Sequence, residues 1–549
     1  MRRSLLATTS ITLLGLAVMG ASTCNTNAPA ARSFGAGSLV IPMDNCYQRR
    51  DASAPAQSVG CTGSGNADDG VLRAYGLVYF LLKHGVPVYW AVDGATPKLT
   101  ATAADVTVGA PSSGAVVQKL KWNDGSFVDF NFPAATGITY VGGPFIVDAQ
   151  DAARAVAMMT GAGDPAHADF ARFQAEAVVD IHKVQVAFNV TQVRPITTTP
   201  PKIAILNVTP PAGKKTASNV MYQYAVAAGL SWPCAGTGDC AGGLGRGCDK
   251  AGVLAYLANP GGDGKIPQVC NNGLCAPNFN TGPGLIYDVL CDGDFIPPGA
   301  GETYADTQLA AGNYRLLWIP HWDTSGTTPT GSANASLVPA LPATTAADRL
   351  AWQLRTISSF VQAGNNVFGE CLGIQALEGV TGEDAVNGSP LGIPATRFQS
   401  PAGIQKWNGT GGGTLTLQPL LDAAHPDMQI GDFNFSVVSG AITTFFPRSN
   451  QTPADAYLPT VERFITETPA TTPPSNWDVA STVQVAGAAD SGPKGSVAYL
   501  GGHDYSPTSD PWPHTTADKA TKGQTAGTRI VLNTLFNLGF ACADPNTDC

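Results

Sequence analysis

Residues 366–373 read NVFGECLG, a short apolar segment that runs directly into a Gly-Glu-Cys-Leu-Gly sequence. The apolar part predicts a buried strand. Glycines two residues before and two residues after Cys371 are typical of a tight strand-to-helix turn, because the turn is sharp and neighbouring backbone comes close. Such turns present a side chain at the carboxyl end of a sheet, where α/β proteins place their sites. The segment therefore predicts an α/β fold with Cys371 at its functional edge.

Strand and helix patterns alternate on both sides of this segment. A helix with apolar residues at helical spacing precedes the Cys371 strand, and Gly364 is suited to end it. This alternation predicts a parallel α/β layer. The other predicted elements are strands at 202–206 (KIAIL), 313–319 (NYRLLWI) and 496–500 (SVAYL), and helices at 218–230 and 528–538.

The amino-terminal part shows the same alternation, with a predicted strand at 39–42, a helix at 70–84 and a strand at 86–92. Strand, helix and strand with short connections are typical of a parallel layer. A Pro/Thr-rich stretch at 193–201 predicts a linker. The expected organisation is a signal segment at 1–23, an α/β region at 24–195, and a second α/β domain at 196–549 with a Cys-rich insertion at about 232–300 and a loop-rich region at about 380–490, in which antiparallel strands are the alternative.

The composition excludes several classes of protein. The 549 residues include 62 Gly and 41 Pro, yet 44% are hydrophobic, which is too much apolar surface for a disordered chain. The net charge of −10 argues against nucleic acid or an anionic membrane surface as a partner.

The first residues have the pattern of an export signal. Arg2 and Arg3 precede a mostly apolar stretch at 5–19, which ends in small residues. We therefore expect an exported protein, periplasmic, outer-surface or secreted. Residues 21–24 (ASTC) resemble a lipoprotein cleavage box, so a lipid on Cys24 is the expected link to a membrane.

Cysteines fall into local groups, which in an oxidising compartment predicts disulfides. Zinc is disfavoured because the cluster has no Cys-x2-Cys spacing and no nearby His. Calcium at Asp263, Asp292, Asp294 and the Asp68-Asp69 pair competes with ordinary turn chemistry, and no cofactor is predicted. The ten disulfide candidates, whose pairing the sequence leaves open, are Cys46, Cys61, Cys234, Cys240, Cys248, Cys270, Cys275, Cys291, Cys542 and Cys549.

Cys371 is the candidate nucleophile. A helix that starts after it favours the thiolate, and the Leu372 amide is placed to stabilise an oxyanion. Two alternatives give Cys371 no catalytic role: it could be an inert thiol in the core, or it could form a disulfide with Cys24.

Histidines that follow predicted strands are the candidate bases. His503 is preferred, with His321 and His425 as alternatives, and Asp504 or Glu370 would orient the base. His84, His167, His182 and His514 are expected at the surface or at helix ends.

Residues 368–379 (FGECLGIQALEG) resemble the nucleophile segment of class I glutamine amidotransferases, G-x-C-L-G-x-Q followed by an apolar helix. The resemblance implies a flavodoxin-like, mostly parallel sheet with helices on both faces, and a Cys-His-Glu triad that acts through a thioester. The family's His-Pro-Glu motif is split here, since residues 425–427 read HPD but do not follow a strand, and His503 follows a strand but reads GGHDY.

A second resemblance covers more of the chain. Residues 41–44 (IPMD), the strand before His321, the Cys371 turn and 499–505 (YLGGHDY) are similar to uncharacterised exported bacterial proteins sometimes labelled asparagine synthetase B. The chain lacks the amino-terminal Cys and the S-G-G-x-D-S loop of such a synthetase. The resemblance implies only that His321, Cys371, His503 and Asp504 belong together.

These observations predict Cys-dependent hydrolysis or transfer of an amide or acyl bond, on a small-molecule, peptide or glycan substrate. The alternative is a non-catalytic surface protein that binds a polymer such as a glycan, with stacking by Trp232, Trp318, Trp322 and Trp512.

Overall fold

The computed structural model describes residues 30–44, 47–48, 69–92, 104–130, 137–196, 202–207, 224, 227–229, 269–271, 274–276, 287–291, 295, 304–319, 346–370, 373, 404–408, 413–419, 436–439, 443–447, 461–467, 477–484, 495–501 and 525–539. The helices in these ranges are α1 (Asp69–Lys83), α2 (Ala149–Thr160), α3 (His167–Glu176), α4 (Gln308–Ala311), α5 (Ala346–Gln362) and α6 (Thr525–Gly539), with a 3-10 turn at Tyr304–Asp306.

Ten strands belong to the amino-terminal part: β1 (Ala30–Phe34), β2 (Leu39–Ile41), β3 (Val88–Ala91), β4 (Val106–Val108), β5 (Val117–Leu120), β6 (Phe127–Phe130), β7 (Ile138–Tyr140), β8 (Phe145–Val147), β9 (His182–Val184) and β10 (Phe188–Ile196). The later strands are β11 (Ile203–Asn207), β12 (Val269–Asn271), β13 (Leu274–Ala276), β14 (Tyr287–Cys291), β15 (Leu316–Ile319), β16 (Asn366–Glu370), β17 (Ile404–Asn408), β18 (Gly413–Pro419), β19 (Ser436–Ser439), β20 (Thr443–Pro447), β21 (Val461–Glu467), β22 (Trp477–Gln484) and β23 (Ser496–Leu500).

The amino-terminal sheet has eight strands in the order β1-β10-β3-β8-β2-β9-β5-β6, and every neighbouring pair is antiparallel. The parallel layer predicted for this part is therefore wrong. Strands β2 and β3 do run in the same direction, but β8 lies between them and is antiparallel to both. The strand-helix-strand pattern in the sequence indicates that β2 and β3 run in the same direction. It cannot indicate that another strand, β8, pairs between them.

The second sheet has eleven strands and begins with a parallel block. Five strands, β14-β11-β15-β16-β23, are mutually parallel neighbours. Numbered along the chain, their order is 2-1-3-4-5. Beyond β23 the sheet continues with antiparallel strands β22, β21, β18 and β19, while β17 pairs with β20 and β20 with β22. The predicted α/β class is confirmed, and the loop-rich region contains the antiparallel strands named as its alternative.

Helices cover both faces of the parallel block. Alternate residues of each strand point to opposite faces, so each strand contributes to two cores. Helix α6 packs on the face that includes Trp318 and Phe368. Helix α5 packs on the other face, which includes Leu317 and Val367. The covered strands are therefore apolar on both sides, as parallel strands usually are.

The two parts of the chain meet through α1 and α6 rather than through a shared sheet. Buried residues of both parts belong to one apolar core. The Tyr75 hydroxyl on α1 donates a hydrogen bond of 2.5 Å to Asn533 Oδ1 on α6. A Cβ at Gly76 would lie 1.9 Å from the Ala228 carbonyl oxygen, so α1 sits directly against that backbone. Among the helices described, none is long and apolar enough to span a bilayer.

Candidate functional site

The carboxyl ends of β15, β16 and β23 lie side by side at one edge of the parallel block. Ile319 at the end of β15 pairs with Gly369 of β16. Glu370 at the end of β16 pairs with Leu500 at the end of β23. Three neighbouring strands therefore end at the same level of the sheet, which is the edge where α/β folds bind ligands.

The sequence-predicted site residues follow these three strand ends directly. His321 comes two residues after Ile319, Cys371 comes directly after Glu370, and His503 comes three residues after Leu500. The structure therefore brings together the strands that carry all three. These residues themselves lie outside the described part of the chain, as do Leu372, Asp504 and His425.

Gly373 shows why the turn after Cys371 requires a small residue. A Cβ at this position would lie 2.5 Å from the Ile319 carbonyl oxygen and 2.9 Å from Ile319 Cγ2. Both distances are far below van der Waals contact, so no larger residue fits without moving β15. The glycine two residues after the candidate nucleophile is thus explained by close approach to the neighbouring strand.

Glu370 is the predicted site residue that the structure describes. Its side chain is fully buried at the end of β16. The indole Nε1 of Trp318 donates a hydrogen bond of 2.5 Å to Glu370 Oε2. Trp318 is itself fully buried, and its ring contacts those of Phe368 and Tyr224 at centroid distances of 5.4 and 5.9 Å. Trp318 therefore cannot stack on a sugar, contrary to the prediction.

Arg529 is a buried charged residue that the sequence reasoning missed. It lies one turn into α6 and is 0% exposed. Its Nη2 donates a 3.0 Å hydrogen bond to the Gly142 carbonyl oxygen of the amino-terminal part. Burial raises the pKa of the neighbouring Tyr75 hydroxyl, and Arg529 acts in the opposite direction through its charge and a hydrogen bond. The signal in the sequence is that this arginine is the only charged residue in 525–539.

A second buried polar cluster lies in the amino-terminal sheet. His182 is fully buried in β9, so the expected surface position for it is wrong. Its Nδ1 lies 2.9 Å from the Tyr140 hydroxyl, within hydrogen-bond distance. Burial raises the pKa of Tyr140 strongly, and the nearby Tyr47 and Asp44 add to the rise. The cluster has no solvent-facing member among Asp44, Tyr140 and His182, which suits a structural role.

Metal and calcium sites receive no support in the described part of the chain, where no group of three or more His, Cys, Asp or Glu side chains could hold an ion. The calcium candidates Asp263, Asp292 and Asp294 lie outside that part.

Comparisons with known proteins give no family. No family model matches the chain, and no curated protein matches it. Among solved structures, a protein of Bacteroides uniformis described as ThuA-like aligns with 60% of this chain and 90% of its own, at 10% identity and a TM-score of 0.25. Two proteins of Salmonella typhimurium, both described as cytoplasmic, align at 11% identity over 61% of this chain. Their alignments cover 97% and 98% of their own chains, with TM-scores of 0.26 and 0.24.

These findings correct both family resemblances. No family model or curated protein supports a class I glutamine amidotransferase or a protein labelled asparagine synthetase B. The first resemblance covered a dozen residues around one turn. A turn of this kind reflects local geometry, which unrelated proteins share.

The predictions of export, a signal segment and a lipid on Cys24 receive no support from these comparisons, and the two Salmonella typhimurium proteins are described as cytoplasmic. The prediction of disulfides depended on the same oxidising compartment, and it likewise receives no support from these comparisons. Of the ten candidates only Cys270, Cys275 and Cys291 lie in described strands, where Cys270 and Cys275 are register partners in the β12-β13 pair. Residues 1–23, Cys24 and the other seven candidates lie outside.

Proposed function

We propose that the chain is a cysteine-dependent hydrolase or acyl transferase that acts on an amide or related acyl bond. The observation that carries the proposal is that β15, β16 and β23 end beside one another in the sheet. His321, Cys371 and His503 follow these strand ends within one to three residues. A nucleophilic cysteine needs a base within hydrogen-bond reach, and this strand order offers two histidines.

We also propose that the parallel block is flavodoxin-like. Its strand order of 2-1-3-4-5 is the order of that class of doubly wound sheets. Helices α5 and α6 on opposite faces support the assignment. The antiparallel strands beyond β23 are then an extension of the sheet at its β23 edge.

The reaction would proceed through a thioester. His503 takes the proton of the Cys371 thiol, and the sulfur attacks the substrate carbonyl carbon to form a C–S bond. The Leu372 amide donates to the oxyanion. The C–N or C–O bond then breaks, and the leaving group receives the proton held by the imidazole. Water or an acceptor nucleophile then attacks the thioester carbonyl carbon and gives its proton to the imidazole. The C–S bond breaks, the acyl product leaves, and the imidazolium returns the proton to the sulfur. His321 and His425 are the alternative bases.

The test is alkylation of the native, non-reduced protein with iodoacetamide, followed by peptide mapping by mass spectrometry. We expect Cys371 to be labelled without denaturant, and His503→Gln to slow its labelling at neutral pH. His514→Gln is the control, since His514 lies eleven residues further along the chain than His503 and was expected at the surface or at a helix end. Cys371 that is disulfide-bonded, or that labels only after denaturation, would show that the proposal is wrong.

The polymer-binding alternative is less well supported. Of its four tryptophans, Trp318 is fully buried, and the other three lie outside the described residues.

A further inference from the structure

A fully buried carboxyl group lies at the edge where the three strands end. Glu370 is 0% exposed and immediately precedes Cys371. Placing a carboxyl group in a protein interior is costly unless hydrogen bonds or charges compensate it. An apolar residue would extend the β16 strand at no such cost, so the position calls for a reason beyond packing.

One partner of Glu370 is the fully buried indole of Trp318. Trp318 Nε1 donates to Glu370 Oε2 at 2.5 Å, and the indole is held between Phe368 and Tyr224. An indole has one polar hydrogen, so its orientation determines the direction of this bond. The bond joins residues 52 positions apart in the chain, on adjacent strands whose register pairs Trp318 with Phe368.

The charged and titratable groups near this carboxyl come from other elements. Asn366 Nδ2, at the start of β16, donates to the Leu538 carbonyl oxygen near the end of α6, which fixes the helix against the strand. The distance along the helix axis from Leu538 back to Arg529 is about 13 Å. The distance along the strand from Asn366 to Glu370 is also about 13 Å. Arg529 therefore lies near the level of Glu370, on the helix that covers the same face. Tyr75 of α1 and Tyr224 are further titratable groups on this side among the described residues.

We infer that Glu370 is a positioning residue of the site, fixed by Trp318 so that its carboxyl group orients the histidine base after β23. The inference rests on the proposed function. It assigns to Glu370 a role that the sequence left open between Glu370 and Asp504. The supporting geometry is the pairing of Glu370 with Leu500, three residues before His503. Carboxylates that accept from an imidazole hold it in one tautomer and orientation.

The experiment measures the rate of Cys371 alkylation by iodoacetamide from pH 5 to pH 9 in the full-length protein. Trp318→Phe removes the indole donor and keeps an aromatic ring, while Glu370→Gln keeps the shape and removes the charge. The control is Trp122→Phe, since Trp122 is also buried and also donates through Nε1, to the Val179 carbonyl oxygen at 2.7 Å, far from this edge. Circular dichroism checks folding of each variant.

We expect Trp318→Phe and Glu370→Gln to slow alkylation about ten-fold or more near pH 7. The rates should approach the wild-type rate near pH 9, where the thiol ionises without help from a base. Trp122→Phe should keep the wild-type pH profile. In a His503→Gln background, Glu370→Gln should have no further effect, because a positioning residue acts only through the base it orients.

The outcomes separate the two proposals. A reactive wild-type Cys371 whose pH profile is unchanged in both variants contradicts the role of Glu370 and leaves the proposed function standing. Additive effects of Glu370→Gln and His503→Gln also contradict it. A wild-type Cys371 that does not react at any pH overturns the proposed function and the inference together. If Trp318→Phe fails to fold, the Glu370→Gln profile and the double variant decide.

Discussion

The hydrogen bond between Tyr75 and Asn533 is the most accessible test of how the two parts of the chain are joined. The bond is 2.5 Å long, and its two residues are 0% and 1% exposed, so water cannot replace either group. Tyr75→Phe removes the hydroxyl but retains the edge-to-face ring contacts with Phe145 and Phe536. Loss of a donor to a buried acceptor costs about 1–3 kcal/mol. We expect the free energy of unfolding to fall by that amount.

The assay is equilibrium unfolding in urea, followed by circular dichroism and tryptophan fluorescence. Tyr89→Phe is the matched control, since Tyr89 lies in the same part of the chain and is only partly buried; we expect a change below about 0.5 kcal/mol. Because buried residues of both parts form one core, the two probes should report a single transition. A Tyr75→Phe effect no larger than that of the control, or separate transitions for the two parts in the wild type, would refute the shared core.

Two further predictions concern the site edge and alkaline pH. Gly373→Ala should lower the free energy of unfolding by about 1–3 kcal/mol, because the added Cβ would collide with the Ile319 backbone. Urea unfolding measures this change. The control is Gly163→Ala, since no atom lies within 4 Å of a Cβ at that position. Burial raises the pKa of Tyr75 and Tyr140, so these groups stay protonated in the folded state while the unfolded chain ionises near pH 10. Their contribution to the free energy of unfolding is therefore fully present below pH 10 and should fall above it, by up to about 1.4 kcal/mol per group at pH 11. An unchanged free energy of unfolding between pH 9 and pH 11 would contradict this.

Four of the five strands of the parallel block could be predicted, because each is a local pattern, whereas β14 (Tyr287–Cys291) falls within the predicted Cys-rich insertion and was missed. The predicted strand at 496–500 coincides with β23 (Ser496–Leu500), and the predicted helix before Cys371 coincides with α5 (Ala346–Gln362). Gly364, the predicted terminator, has a φ of +92°, a conformation that glycine adopts without strain. Strands buried on both faces are continuous apolar runs, which are easy to recognise.

The amino-terminal sheet could not be predicted, because its pairing joins distant segments. Residues 193–201 suggested a linker, since Pro and Thr are common there, yet β10 (Phe188–Ile196) extends through Pro195 and pairs with both β1 and β3. Proline lacks an amide hydrogen, so it disfavours a strand locally. The long-range pairing outweighs that preference here.

The site shows the same division between local and distant information. Cys371 and its flanking glycines form a local motif, so the sequence indicates them. The bond from Trp318 to Glu370 depends on strands that are distant in the chain, and the sequence suggested for Trp318 only a sugar-stacking role in the polymer-binding alternative. Arg529 is the only charged residue of its helix, and only the structure, in which it donates to the Gly142 carbonyl oxygen, shows that it is buried.

Cys371 as an acyl-accepting nucleophile can be tested by intact-mass spectrometry after brief exposure of the native protein to p-nitrophenyl acetate. We predict a single added acetyl group, located on Cys371 by peptide mapping, absent from Cys371→Ser and lost again as water hydrolyses the thioester. An unmodified protein, or acetyl groups found only on lysines and at the same level in Cys371→Ser, would contradict a catalytic Cys371.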